Sequence, residues 1–105
     1  MLPKKENLFT GPSASTSEEQ ILPLFKSGTT RIERIASHGH ASPSDFWYDQ
    51  ENPEWVLLLE GSATLEFPNK EKLELEKGDY LLIPSHKRHR VQTVSSDAIW
   101  LAIHL

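Results

Sequence analysis

The chain contains no cysteine, so disulfides, thiolate nucleophiles and cysteine-based zinc sites are excluded. Long hydrophobic runs are also missing. Unbroken apolar stretches such as Trp55–Leu59 and Ile99–Ile103 span five residues each, whereas a membrane-spanning helix needs about 20. There is no excess of positive charge: 11 Lys and Arg stand against 15 Asp and Glu, a formal net charge of −4. That balance argues against a nucleic-acid partner, because phosphates require cations. No phosphate-binding glycine loop and no G-x-S-x-G elbow occurs, so nucleotide binding of those types and serine hydrolysis are unsupported. The first ten residues carry lysines but no apolar stretch. The expectation is a cytoplasmic chain without a membrane partner.

The 105 residues, 37% apolar and 25% charged, suit one soluble globular domain. Residues 1–28 read differently from the rest. They hold Pro3, Pro12, Pro23 and the run Ser13-Ala14-Ser15-Thr16-Ser17. This segment is expected to be an N-terminal arm carrying a short helical turn, with Thr16 and Glu19 spaced as a capping box. Ile21, Leu22, Leu24 and Phe25 would anchor it on the body. Residues 29–105 form the domain proper. Short runs rich in β-branched and aromatic residues recur there, separated by Gly61, Pro68-Asn69, Lys77-Gly78-Asp79, Pro84 and Ser95-Ser96-Asp97. Strands are expected over Arg31–Ser37, Phe46–Tyr48, Glu54–Glu60, Ser62–Phe67, Lys72–Glu76, Tyr80–Ile83, His89–Val94 and Ala98–Leu105. This spacing predicts an all-β sandwich or barrel.

Two of those strands are apolar on both faces. Glu54, Val56 and Leu58 alternate with Trp55, Leu57 and Leu59, and Ile99–Ile103 behaves likewise. A small barrel with water outside should show one polar face. The outer face therefore needs cover, from the arm or from a second subunit packing sheet on sheet as a homodimer.

Four of the five histidines fall in two groups, His38/His40 and His86/His89. Histidines at i and i+2 on a strand share a side, and neutral imidazoles on one side suit a transition metal. Glu54, on an otherwise apolar strand face, is costly unless paired or ligated. His104 shares a strand face with Trp100 and Ala102 and reads as a hydrogen-bonded structural residue. Lys87, Arg88 and Arg90 make the one basic cluster, suited to a carboxylate or phosphate. Trp47 and Tyr48 stand in an acidic segment that could cover a site.

His38-Gly39-His40 followed by Glu54-x6-Gly61 resembles the first motif of the cupin family, and Gly78-x5-Pro84-Ser85-His86-x2-His89 resembles the second. The resemblance runs from about Arg31 to Leu105. It implies a small jelly-roll β-barrel binding a divalent metal (Fe, Mn, Ni or Zn) through His38, His40, Glu54 and His89. It further implies a small-molecule ligand, for which the aromatic Trp47 and Tyr48 and the basic Arg88 and Arg90 beside the motifs are the candidate contacts. The implied activity is metal-dependent oxidoreductase or isomerase chemistry, or else non-catalytic binding and sensing. One departure stands out. The family places three or four residues between its second histidine and the glutamate, whereas here thirteen, Ala41–Pro53, intervene. Such an insertion either loops out and leaves the ligands in place, or brings Asp49 or Glu51 into the site instead of Glu54.

Overall fold

The computed structural model describes residues 1–12 and 19–105. The expected helical turn at Thr16–Glu19 lies largely outside the described residues. Eight strands follow one another: β1 (Gln20–Ser27), β2 (Thr30–Ala36), β3 (Glu54–Glu60), β4 (Ser62–Phe67), β5 (Glu71–Glu76), β6 (Tyr80–Ile83), β7 (Arg90–Val94) and β8 (Ile99–His104). They form a five-stranded sheet in the order β1-β2-β8-β3-β6 and a three-stranded sheet in the order β5-β4-β7. All pairings are antiparallel. The result is the all-β jelly roll that the strand spacing and the resemblance implied.

Both sheets turn apolar residues into one core. Val56, Leu58, Ile83, Trp100 and Ala102 come from the larger sheet, and Ala63, Leu65, Phe67 and Leu75 from the smaller. The alternation on β3 is decided here: Glu54, Val56 and Leu58 face inward, and Trp55, Leu57 and Leu59 are only half-buried on the outside. Asn69 and Lys70 turn the β4–β5 hairpin with positive φ of 67° and 64°, a conformation that asparagine tolerates better than most residues.

Two segments differ from the sequence reading. Residues 20–27, assigned to the arm, are strand β1, paired with β2 from Gln20↔Ala36 to Ser27↔Thr30. Pro23 masked that strand. It is accommodated because β1 is a sheet edge, where a missing N–H leaves no ladder bond unmade, and the register shifts just after it. Conversely, Phe46–Tyr48 contributes one isolated bridge, Tyr48↔His89, rather than a strand.

The segment preceding β1 covers one end of the outer face. Arg34, buried on β2, donates from Nε to the Leu8 carbonyl at 2.5 Å and from Nη1 to the Pro12 carbonyl at 2.7 Å. At the other end, Tyr80 and Leu82 on β6 remain exposed beside Trp55, whose ring lies 5.4 Å from that of Tyr80.

Candidate functional site

A cavity of about 190 Å³ opens between the two sheets. Its lining is apolar at Ile35, Val56, Leu65, Ile83, Val91 and Trp100. The polar groups Glu19, Glu33, Tyr48, Gln50, Glu54, His89 and His104 complete it. Strand register brings these together from distant parts of the chain. Glu54 opens β3 and is paired across to His104 at the end of β8. Glu33 on β2 is paired with Ala102 on β8, two residue pairs further along. His89 precedes β7 and is fastened to Tyr48 by two backbone bonds, Tyr48 N to His89 O at 2.8 Å and His89 N to Tyr48 O at 3.1 Å. Their rings stack with centroids 5.3 Å apart.

His104 Nε2 lies 2.9 Å from Glu33 Oε1 and 3.6 Å from Glu54 Oε2. Arg31 Nε holds the other Glu33 oxygen at 3.2 Å. His89 Nδ1 is 2.9 Å from the Lys87 carbonyl. A carbonyl only accepts, so Nδ1 donates, and in the neutral ring Nε2 presents a lone pair. That nitrogen is 4.0 Å from Glu54 Oε1. Glu54 is 8% exposed, and no hydrogen bond to its side chain forms among the described residues. Burial pushes its carboxyl above the ordinary value and the Glu33 carboxylate adds to this, while His104, His89 and Arg31 act in the opposite sense. Burial, with help from the Glu19 and Glu54 carboxylates, also raises the Tyr48 phenol. Tyr48 therefore keeps its proton at neutral pH and is a hydrogen-bond donor.

The structure brings Glu54 and His89 together and leaves His38 and His40 elsewhere. β2 ends at Ala36, and Gly39 has φ of +76°, so the two histidines stand in a turn rather than on one strand face. Ser37 N bonds the Ala98 carbonyl and Gly39 N the Ser95 carbonyl, which fixes this turn at the start of β8. Glu54 is registered at its end, with His104. Six residues of strand separate the two ends, roughly 20 Å. His38 is exposed, and its backbone N–H donates to His40 Nδ1 at 3.1 Å. The thirteen-residue insertion thus lengthens the chain between these histidines and the glutamate.

The positions the resemblance reserves for imidazoles are filled by other residues. Tyr48-Asp49-Gln50 stands three residues before Glu54, the family's own spacing, and both Tyr48 and Gln50 line the cavity. That spacing was the available sequence signal, hidden because the residue types are not metal-binding. A protonated phenol and an amide replace two neutral imidazoles. Among the described residues, no group of three or more His, Asp or Glu side chains converges as a metal's ligand set. The donor set therefore does not fit the family's metal. Asp49 pairs instead with His86, at 2.8 Å on the surface.

Of the candidate ligand contacts, Tyr48 lines the cavity. Arg90 does not. It is buried against Glu66, with Nη1 2.6 Å from Oε1, and its Nη2 donates to the Ser42 and Pro43 carbonyls at 3.0 and 3.3 Å. It ties the insertion to β4. Arg88 lies over the Trp47 ring, 5.4 Å from its centroid, away from the lining residues. Glu19 and Ile21 reach the cavity only because β1 joins the sheet.

The comparisons agree with this architecture. The cupin domain model matches residues 31–104. A structure from Ralstonia eutropha JMP134, of a protein provisionally named a mannose-6-phosphate isomerase, is 39% identical. Each chain covers 97% of the other, with a TM-score of 0.90. A cupin superfamily protein from Desulfitobacterium hafniense DCB-2 is 22% identical over 99% of this chain and 94% of that one, with a TM-score of 0.81. An RmlC-like cupin from Desulfovibrio desulfuricans, 17% identical over 98% and 97% of the two chains, superposes with a TM-score of 0.76. No functionally curated protein matches the sequence. With its two sheets, its cavity and a domain match over about seven-tenths of its length, the chain belongs to the cupin family.

Proposed function

We propose that this protein binds a small molecule inside the barrel, without a resident metal ion. One observation carries the reading: a cavity whose lining joins apolar side chains to a convergent set of polar groups, Glu54, His89, His104, Tyr48 and Gln50. Binding sites typically combine an apolar wall with a few polar groups that fix orientation. The sugar phosphate in the Ralstonia protein's name is not carried over. Phosphate is met by arginine or lysine, and neither lines this cavity.

The test is a fragment screen by NMR on the labelled protein, repeated on Ala102→Leu. Ala102 is fully buried and lines the cavity, so leucine fills space a ligand would use. Hits should move Trp100 and Val56 resonances and disappear in the variant. Hits that map elsewhere, or survive in the folded variant, would reject the site.

A second reading, isomerase-type proton transfer, is favoured by Glu54. A buried carboxyl with a raised pKa, linked through His104 to Glu33, can exchange a proton with a bound carbon acid. Turnover of a hit by the wild type and not by Glu54→Gln separates catalysis from binding. The exposed apolar end of the larger sheet, with Tyr80 and Leu82, is the surface through which two copies would pair.

A further inference from the structure

Two hydrogen-bond acceptors line the cavity too far apart to bond each other directly. Glu54 Oε1 and His89 Nε2 are 4.0 Å apart. Both residues are more than nine-tenths buried, at 8% and 5% exposure. The other carboxylates of the lining have partners. Glu33 is held by His104 and Arg31 on its two oxygens, and Glu19 Oε2 accepts from Ser37 Oγ at 2.8 Å. Among the described residues, Glu54 faces only the imidazoles, at 3.6 and 4.0 Å. A buried carboxylate without a donor is costly, so this pair of acceptors is arranged for a donor that arrives from outside.

The gap sets the donor's chemistry. One nitrogen about 2.8 Å from each acceptor spans them, the two acceptors subtending about 90° at it, which two N–H bonds meet with a bend of about 10° each. A hydroxyl has one hydrogen and can satisfy only one acceptor, while a carboxylate or phosphate brings none. The surrounding charge points the same way. Among the described residues three carboxylates and two imidazoles line the cavity, no Lys or Arg does, and Arg31 stands behind Glu33. Tyr48 and Trp100 add aromatic surface, which favours a cation over an anion. Beyond the pair, Ile35, Val56 and Ala102 offer an apolar lining suited to a short hydrocarbon body.

We propose that the ligand is a small primary ammonium ion, its nitrogen bridging Glu54 Oε1 and His89 Nε2 and its alkyl part lying along Val56 and Trp100. This rests on the interior-site reading above and names the class of molecule that site takes.

The test compares three isosteric probes on the wild-type protein: n-butylammonium, 1-butanol and butyrate, by thermal shift and by NMR of the Trp100 indole and the His89 ring. Butylammonium should raise the melting temperature saturably and move both sets of signals, with butyrate leaving them in place. Glu54→Gln keeps the shape and removes the charge. It should weaken butylammonium at least about tenfold, the loss of one charge-assisted hydrogen bond. Should that variant not fold, the selectivity among the three probes on the wild type still decides. Equal binding of all three, or a preference for butanol or butyrate, overturns the ammonium proposal and leaves the interior site standing. If no probe reaches the Trp100 and His89 signals at tens of millimolar, the ammonium proposal is overturned. If the fragment screen also finds no cavity hit, the interior-site reading goes with it.

Discussion

Gly61 closes β3 at the end of the barrel opposite Glu54, with φ of +87°. Gly78, in the turn before β6, has φ of +93°. Replacing either with alanine places a side chain in the left-handed region, at a cost of about 1–2 kcal/mol. The surroundings then separate them. A Cβ at Gly78 meets nothing within 4 Å. A Cβ at Gly61 runs into Ser95 Oγ and lies 2.9 Å from the Ala98 Cα and 3.0 Å from Asp97 Oδ1. Ser95 cannot swing aside freely, because its hydroxyl accepts from Ser62 N at 3.0 Å and donates to Asp97 Oδ1 at 2.7 Å. Nor can Ala98 retreat, since it is buried in the core and its carbonyl binds Ser37 N at 2.9 Å. Two disrupted hydrogen bonds at about 1 kcal/mol each, plus a forced backbone shift, add about 2–3 kcal/mol. Urea denaturation should show Gly61→Ala losing about 4 kcal/mol and Gly78→Ala about 1.5 kcal/mol, at equal m-values. A domain with about 5–15 kcal/mol in total would feel the first severely. Equal losses in the two variants would refute the close approach of Gly61 to the β7–β8 turn.

Glu54 supplies a pH prediction. Its folded-state pKa is raised, so the folded protein binds more protons than the unfolded chain between the two values. The contribution of the protonated carboxyl is complete below the unfolded value and is lost as pH rises through the folded one. Glu54→Gln should therefore gain stability relative to wild type as pH rises over that window, and a loss relative to wild type over it would contradict the burial argument. Equimolar Mn, Ni or Zn should leave the melting temperature of the wild type unmoved, because His38 and His40 stand apart from Glu54; stoichiometric binding abolished by Glu54→Gln would overturn the donor-set argument. Leu82→Glu, on the exposed apolar end of the larger sheet, should shift the species seen by light scattering from dimer to monomer; a wild type that is already monomeric would sink that interface.

The strands could be read from the chain because their causes are local. Glu54–Glu60, Ser62–Phe67 and Tyr80–Ile83 are bounded by Gly61, Pro68-Asn69, Gly78 and Pro84, and turn residues act where they stand. The parity of β3 likewise placed Glu54 with Val56 and Leu58 before any tertiary information. β1 was lost because Pro23 argues against a strand unless the strand is an edge, and edge position is a property of the sheet. The site could be read only in part for a similar reason. Residue type and spacing favoured His38-Gly39-His40, but which residues share a cavity depends on register. Pairing set the His38–His40 turn against the start of β8 and Glu54 against its end. It also brought Glu19, Glu33, Tyr48, Gln50 and His104 to the cavity, from positions that carry no common local pattern. Sequence alone determined an all-β barrel with two cupin-like motifs, which implied Glu54 and His89 as site residues. The antiparallel register, a long-range property, decided which side chains accompany them and so what the cavity can hold.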